Sequence, residues 1–523
     1  MGGSDGTSGE DEQAQHPHNP GTSYDPTDER NQLADELEII QATEGESLST
    51  GQGSLRASAI QGGAYLAARE VAGIVVRAGG IVVVTRLIGP SSYGIFSAAS
   101  AFAMVIAVVT QMGLEVYLIR QHEEPSDTLY RQVFSFLLVV SVSVSALATL
   151  VSLGLVHLIS GIAAGQRVFM LLMVSIPLNV LWAPAQAKIE RAFGYKRMAW
   201  LELGGDTVLY AVAVVLAVFG AGAWSLAVAW VVWQAWLLVG SYWLADLRPG
   251  WSWSRSTVRD MLRHGLPYAS SGVTATGKGL INPIVVGYFY GSTGVGYVAL
   301  ALRLIDTLGF AMRATWRLGL VALSKVRSQV DRLVRGIEQG MTLQLLATAA
   351  PILVACILAN WLIPLLFGHK WAPIIPVFAW LAVGRITTAP LIVEFAVLYN
   401  AARNTEVAVG TLLNLVLTFV LALLLVPTLG INGYAVATVI GIVAWIHVHR
   451  TARKVAPFRV WPTIRLSIGL VPVALFPLVP WPFSLLLCLP LVVVCAVPRV
   501  HRELLGYVHL VWSGLRKPSG VIR

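Results

Sequence analysis

The sequence is short of charge. Asp, Glu, Lys and Arg make up 12% of its 523 residues, whereas 56% are hydrophobic and the mean hydropathy is +0.68. A soluble domain carries about 25% charged residues. This chain cannot cover itself with a polar surface, which excludes an ordinary soluble globule and makes a bilayer its solvent. Cysteine is also scarce. Cys356, Cys488 and Cys495 all lie in apolar runs, with no CxxC pair or metal spacing, so they read as small core hydrophobes. The ten histidines are scattered, HExxH and DxD are missing, and the one GxSxG match, Gly2–Gly6, lies in the polar N-terminal stretch with no apolar strand before it. Without a catalytic constellation the chain is not expected to be an enzyme, and no metal, cofactor or nucleic-acid partner is expected. "GVTATGKG" (Gly272–Gly279) nearly spells a phosphate-binding loop, but Gly279 stands where Ser or Thr should hold Mg²⁺. It lies inside an apolar run and reads as a small-residue helix face beside Lys278.

What is present divides by charge. Residues 1–55 hold twelve acids and a single base, Arg30, so the rest of the chain is strongly basic. This polar, Gly/Ser/Thr-rich stretch reads as a disordered acidic tail. It lacks a basic segment followed by an apolar one, so it does not read as a signal peptide. From about residue 60, apolar runs of some 20 residues alternate with short breaks, and a crossing helix needs about 20. Fourteen spans are expected: 62–86, 93–118, 132–159, 168–188, 198–219, 223–245, 264–289, 294–320, 338–366, 371–399, 405–426, 430–449, 464–480 and 483–498. The last pair is short and Pro-rich, which leaves a re-entrant hairpin open. With the N-terminus inside, twenty-five Lys and Arg fall on the inner side and three (Arg86, Arg167 and Lys370) on the outer. That bias predicts cytoplasmic termini.

An internal repeat organises the spans. "RLIGPSSYGIF" (Arg86–Phe96) aligns with "YFYGSTGVGYV" (Tyr288–Val298) at an offset of 202, matching Gly89 with Gly291 and Gly94 with Gly296. "FGAGAWSLA" (Phe219–Ala227) aligns with "LGINGYAVA" (Leu429–Ala437) at 210, matching Gly220 with Gly430. Each pair joins equivalent helices of two six-helix blocks. Six is even, so the repeat is parallel, with its pseudo-twofold axis along the membrane normal, and such transporters bind substrate between the halves. The expected fold is an all-α polytopic membrane protein: two six-helix lobes (56–246 and 264–450) joined by a cytoplasmic linker (247–263). A helix pair (451–499) and a basic cytoplasmic tail (500–523) follow. In a state open to the inside, the two outer turns at Gly89 and Gly291 are expected to meet and shut the outer side.

Charges within spans are costly and usually face a cavity or a partner. Arg77, Lys278, Arg303, Arg313 and Arg385 are the candidate substrate-binding bases. Glu70, Asp306 and Glu394 are the acids that could couple to an ion. Five bases against three acids suggest a cavity of net positive sign and an anionic substrate. Asp306 either faces that cavity or neutralises Arg303 at i,i+3, and Arg313 either lines it or reaches the headgroups. Trp230, Trp233 and Trp236 form an i,i+3 stripe that either packs between helices or stacks on sugar rings.

"RLIGPSSYGIF" followed by "QMGLEVYLIRQ" (Gln111–Gln121) resembles the opening of bacterial polysaccharide-unit flippases of the multidrug/oligosaccharidyl-lipid/polysaccharide exporter superfamily. "HGLPYASSG" (His264–Gly272), "VGYFYGSTGVGYVALALRL" (Val286–Leu304) and "LIPLLFGHKWAPIIPVFAWLA" (Leu362–Ala382) extend the resemblance over residues 56–450. Asn282 departs from it, since relatives often carry an acid there. The resemblance implies two lobes around a cationic cavity. It implies a flippase that moves polyprenyl-pyrophosphate-linked oligosaccharide repeat units across a bacterial cytoplasmic (inner) membrane for exopolysaccharide, capsule or O-antigen synthesis, beside a polysaccharide polymerase or co-polymerase. A lipid II flippase and a multidrug antiporter of the same superfamily are the alternatives.

Overall fold

A segment crossing lipid must satisfy its own backbone hydrogen bonds, and a helix does so without a partner. The computed structural model describes residues 72–121, 123–158, 165–309, 330–498 and 506, and every regular element among them is helical. Glu70, Arg313 and the expected acidic tail lie outside the described residues, as does the basic tail apart from Gly506.

The first half contains α1 (Ala72–Gln111), α2 (Leu114–Ile119) and α3 (Asp127–Leu158). The short helices α4 (Gln166–Val174), α5 (Ile176–Leu181) and α6 (Ala183–Arg191) together make one apolar run. The hairpin of α7 (Tyr195–Val218) and α8 (Ala223–Leu244) completes it. The second half contains α9 (Arg255–Gly277), α10 (Gly287–Leu308) and α11 (Val330–Phe367), then α12 (Ile374–Thr388) and α13 (Leu391–Asn400). It ends with the hairpin of α14 (Asn404–Leu429) and α15 (Asn432–Ile440), followed by α16 (Ile446–Val455). α17 (Trp461–Ala474) and α18 (Leu489–Ala496) form the last pair, with α17 packed on α11 and α12.

Ten helices among the described residues are long and apolar enough to cross a bilayer, or eleven if α12 and α13, bent by 41°, make one span. Fourteen spans were the sequence expectation, and the difference has physical causes. If straight, α1 would be about 60 Å long, twice a hydrocarbon core. It covers two expected spans because Gly89 breaks it with a φ of +81°. α9 is too polar to qualify, carrying Arg255, Arg259, Asp260 and Arg263. The expected fourteenth span is the shorter apolar stretch Phe483–Ala496, which begins as a 3₁₀ turn and is too short to cross as a helix.

The aligned turns have matching backbones. Gly89 (φ +81°) corresponds to Gly291 (φ +61°), and Gly220 (φ +78°) to Gly430 (φ +68°). Residues other than glycine rarely adopt this left-handed region. Each glycine therefore reverses or bends the chain where its lobe needs it. The turns at Gly89 and Gly291 also touch each other. Ser91 Oγ lies 2.8 Å from Ser292 Oγ. A Cβ on Gly94 would fall on the Ser292 carbonyl oxygen, and one on Gly296 would fall on the Pro90 carbonyl oxygen. These contacts are reciprocal: Gly94 and Gly296, like Pro90 and Ser292, are each 202 residues apart. This is the pattern a pseudo-twofold axis between the turns would produce.

A third segment completes the contact. Gly368 (φ +91°) turns the chain after α11 into a 3₁₀ turn, His369–Trp371. The fully buried Trp371 ring stands edge-on to Tyr93 at 5.9 Å and to Tyr297 at 6.0 Å. Its indole N–H donates to the Thr85 carbonyl at 3.1 Å, and Lys370 Nζ donates to the Arg86 carbonyl at 2.6 Å. Arg86 in turn donates to the Leu365 carbonyl at 3.0 Å. The expected meeting of the two turns is thus observed, with an aromatic wedge from α11–α12 that the sequence reading did not include.

Candidate functional site

Between α9 and α10 the helix loses its regular form. Lys278–Leu280 is a 3₁₀ turn and Asn282–Val286 a π-helical stretch. Pro283 has no N–H to give to the carbonyl four residues back, and its ring crowds that turn, so the ladder slips. Gly279 lies beside this break, with nothing within 4 Å of where its Cβ would be. It lines two adjoining cavities of about 310 and 430 Å³, which also share Leu302 and Asp306. Irregular backbone in a membrane helix is tolerated where it lines a cavity or packs within protein, and this break does the former.

The candidate bases gather here. Lys278 lines the 430 Å³ cavity and donates from Nζ to Asn414 Oδ1 at 2.8 Å. Asn414 is buried on α14 and donates from Nδ2 to the Gly441 carbonyl at 2.8 Å. Arg385, on α12, lines the same cavity and pairs with Asp306 of α10. Arg303 lines the 310 Å³ cavity, with its guanidinium 3.5 Å from the Tyr210 hydroxyl of α7. Among the described residues lining the two cavities, three side chains are basic and one is acidic. A fixed excess of positive charge in a low-dielectric recess attracts anions more strongly than it would in water.

The remaining candidates are placed elsewhere. Arg77 pairs with Asp206 at 2.8 Å, tying α1 to α7, and lines neither cavity. Glu394 is fully buried and bonds His449 Nδ1 at 2.8 Å through Oε1, while Oε2 has no hydrogen-bond partner. It lines a separate, mostly apolar pocket of about 480 Å³ against α17. The helix bend at Pro390, between α12 and α13, separates it from Arg385. Asp306 pairs with Arg385 between helices and also acts electrostatically on Arg303 within α10, so it serves both the cavity wall and local neutralisation.

Some site residues were not singled out by sequence reasoning. Asn414 was findable as an amide inside an apolar run. Tyr210, Tyr434 and Thr388 gave no signal, since such residues are common in helices. The tryptophan stripe divides its roles. Trp230 lines the 310 Å³ cavity, whereas Trp233 and Trp236 lie against Gly204 and Gly205 of α7. Trp236 also donates to the Leu201 carbonyl at 3.0 Å. "GVTATGKG" is helical throughout, as expected.

Residues 83–376 match the family model described as polysaccharide biosynthesis protein. A search of curated proteins finds no significant match. Among solved structures, the lipid II flippase MurJ in an inward closed conformation is similar with a TM-score of 0.67 at 13% identity, covering 84% of this chain and 99% of that one. A multidrug resistance MATE family transporter of the MOP superfamily, in an inward-facing conformation, is similar with a TM-score of 0.58 at 18% identity, covering 73% and 95%. The fold is shared with both.

Proposed function

Because the chain belongs to the polysaccharide biosynthesis protein family, we propose that it is a flippase for polyprenyl-pyrophosphate-linked oligosaccharide repeat units. It moves them from the inner to the outer leaflet of a bacterial cytoplasmic membrane by alternating access, with both of its termini in the cytoplasm. The observation that carries this reading is the wall of the central cavities, where Lys278, Arg303 and Arg385 face a single acid, Asp306. Pyrophosphate is a compact anion, and ammonium and guanidinium groups form strong charge-assisted hydrogen bonds to it. A multidrug antiporter that expels cations would need the opposite sign in its cavity.

In this proposal the contact between the Gly89 and Gly291 turns is the closed outer gate. Outward opening separates Ser91 from Ser292 and withdraws Trp371 from between Tyr93 and Tyr297. Asp306 and Glu394, with Glu70, are the acids through which an ion gradient could drive the cycle. Opening Arg385 toward pyrophosphate loosens its hold on Asp306, which links substrate to that acid. A polysaccharide polymerase or co-polymerase would take the unit on the far side. The test is the Lys278→Ala, Arg385→Ala double substitution in a strain lacking the native gene. Surface glycan should be lost while the protein remains in the membrane. Export at the full rate would contradict the cationic site.

A further inference from the structure

The two adjoining cavities differ in chemistry, and the proposed substrate has two chemically different parts. The 430 Å³ cavity carries Lys278 and Arg385. The 310 Å³ cavity is walled by Trp230, Phe96, Tyr93 and Tyr210, with Ser97 and Ser100 among them, and it also carries Arg303 and the shared Asp306. Aromatic carbon beside hydroxyl and amide groups suits a sugar, which presents apolar C–H faces and a rim of hydroxyls.

Two details point to a ligand in the aromatic cavity. The first is Asn282, which lines it and is only 4% exposed. Its Nδ2 donates to the Val295 carbonyl at 3.2 Å, but its Oδ1 has no hydrogen-bond partner. A buried amide oxygen left unpaired is costly; a turn of the side chain toward the cavity it lines would bring that oxygen to a ligand hydroxyl. The second is Trp230. Its ring is braced edge-on by Phe96 at 6.0 Å and packed against Trp233 at 4.9 Å. With its amide oxygen toward the indole, the buried Gln234 accepts from Trp230 Nε1 and donates to the Ser175 carbonyl at 3.0 Å. The indole's polar atom is thereby occupied within the protein, and what the ring offers the cavity is carbon.

We infer that the substrate is held in two chambers: pyrophosphate beside Lys278 and Arg385, and a sugar of the repeat unit on Trp230 with a hydroxyl on Asn282 Oδ1. Gly279, Leu302 and Asp306 form the wall that the two chambers share. The aromatic chamber is at the lower end of the ~300–1,000 Å³ usual for small-molecule sites. It has room for a sugar residue, not for a long glycan, so it selects on that residue while the pyrophosphate chamber does not. This inference rests on the flippase reading above.

The test uses the full-length protein in nanodiscs and short-chain polyprenyl pyrophosphates, either sugarless or bearing a single glucose, N-acetylglucosamine or N-acetylgalactosamine. Wild-type protein should bind at least one glycosylated lipid about 10-fold more tightly than the sugarless one. Trp230→Ala should erase that preference while changing sugarless binding by less than about 2-fold, and Trp230→Phe should retain most of it. Asn282→Ala should cut the preference several-fold. Lys278→Ala should weaken every lipid alike. Equal binding of all lipids by wild-type protein, or an equal loss for all of them in Trp230→Ala, would overturn the sugar chamber and leave the flippase reading standing. Failure of the wild type to bind any of them would overturn both.

Discussion

At Gly94 and Gly296 a single hydrogen in place of a methyl group decides whether two halves of the molecule can touch. Each would-be Cβ coincides with a carbonyl oxygen of the opposite turn, and backbone at that position has no rotamer by which to move aside. Gly94→Ala should therefore hold the turns apart. The measurement is disulfide formation between Ser91→Cys and Ser292→Cys. Their hydroxyl oxygens are 2.8 Å apart, and a disulfide needs about 2.05 Å between sulfurs, so a small adjustment suffices. Cross-linking should be rapid in the otherwise unaltered protein and at least about 10-fold slower with Gly94→Ala added. Equal rates would show that the contact is incidental. A second residue-scale prediction concerns Glu394, whose hydrogen-bonding partner is His449. Removing one member of a buried pair costs about 3–5 kcal/mol. His449 keeps a quarter of its side chain exposed, so His449→Ala should cost less, about 2–3 kcal/mol, read as a lower melting temperature in detergent. Glu394→Gln combined with His449→Ala should recover most of the loss.

The break between α9 and α10 is the element on which the site depends. Pro283→Ala restores an N–H donor and lets the π stretch relax toward regular helix. Dropping the extra residue from the turn rotates everything before it by about 100°, which carries Lys278 off the cavity wall. Transport should fall several-fold while the melting temperature holds or rises. A simultaneous fall in both would mean that the proline serves packing alone. Much at this scale was legible in the sequence. Lipid admits only helices here, so hydropathy located the spans. Glycine at a fixed offset marked both turns because left-handed backbone has few other occupants. The polar partnerships were less legible. Helical periodicity puts Asp306 and Arg303 on one stripe, but the ion pair of Asp306 is with Arg385 of α12, and only packing reveals it. Glu394 was expected in the same span as Arg385, 371–399. The bend at Pro390 sends it into a different pocket. The π stretch itself left no trace beyond Pro283, which is also compatible with an ordinary kink.

For the molecule as a whole, the same chain brings reciprocal turns and a tryptophan wedge together at one end and lines the cavities at the helix break with three bases and one acid among the described residues. Those two features make sense together only if the closure is transient. Trp371→Ala removes the ring between Tyr93 and Tyr297 and leaves the glycine contact in place. It should bias the protein toward opening at that end. A cysteine at Ser97, on the cavity wall below the turn, should then react faster with a membrane-impermeant thiol reagent added outside intact cells. An unchanged rate would assign Trp371 to packing.

The central claim is that a lipid-linked glycan crosses through these cavities as the turns part. The most direct measurement is leaflet transfer of a labelled polyprenyl-pyrophosphoryl oligosaccharide in proteoliposomes holding the Ser91→Cys, Ser292→Cys protein. Oxidation should stop transfer and reduction should restore it. Transfer that continues at the same rate with the turns cross-linked would contradict the account.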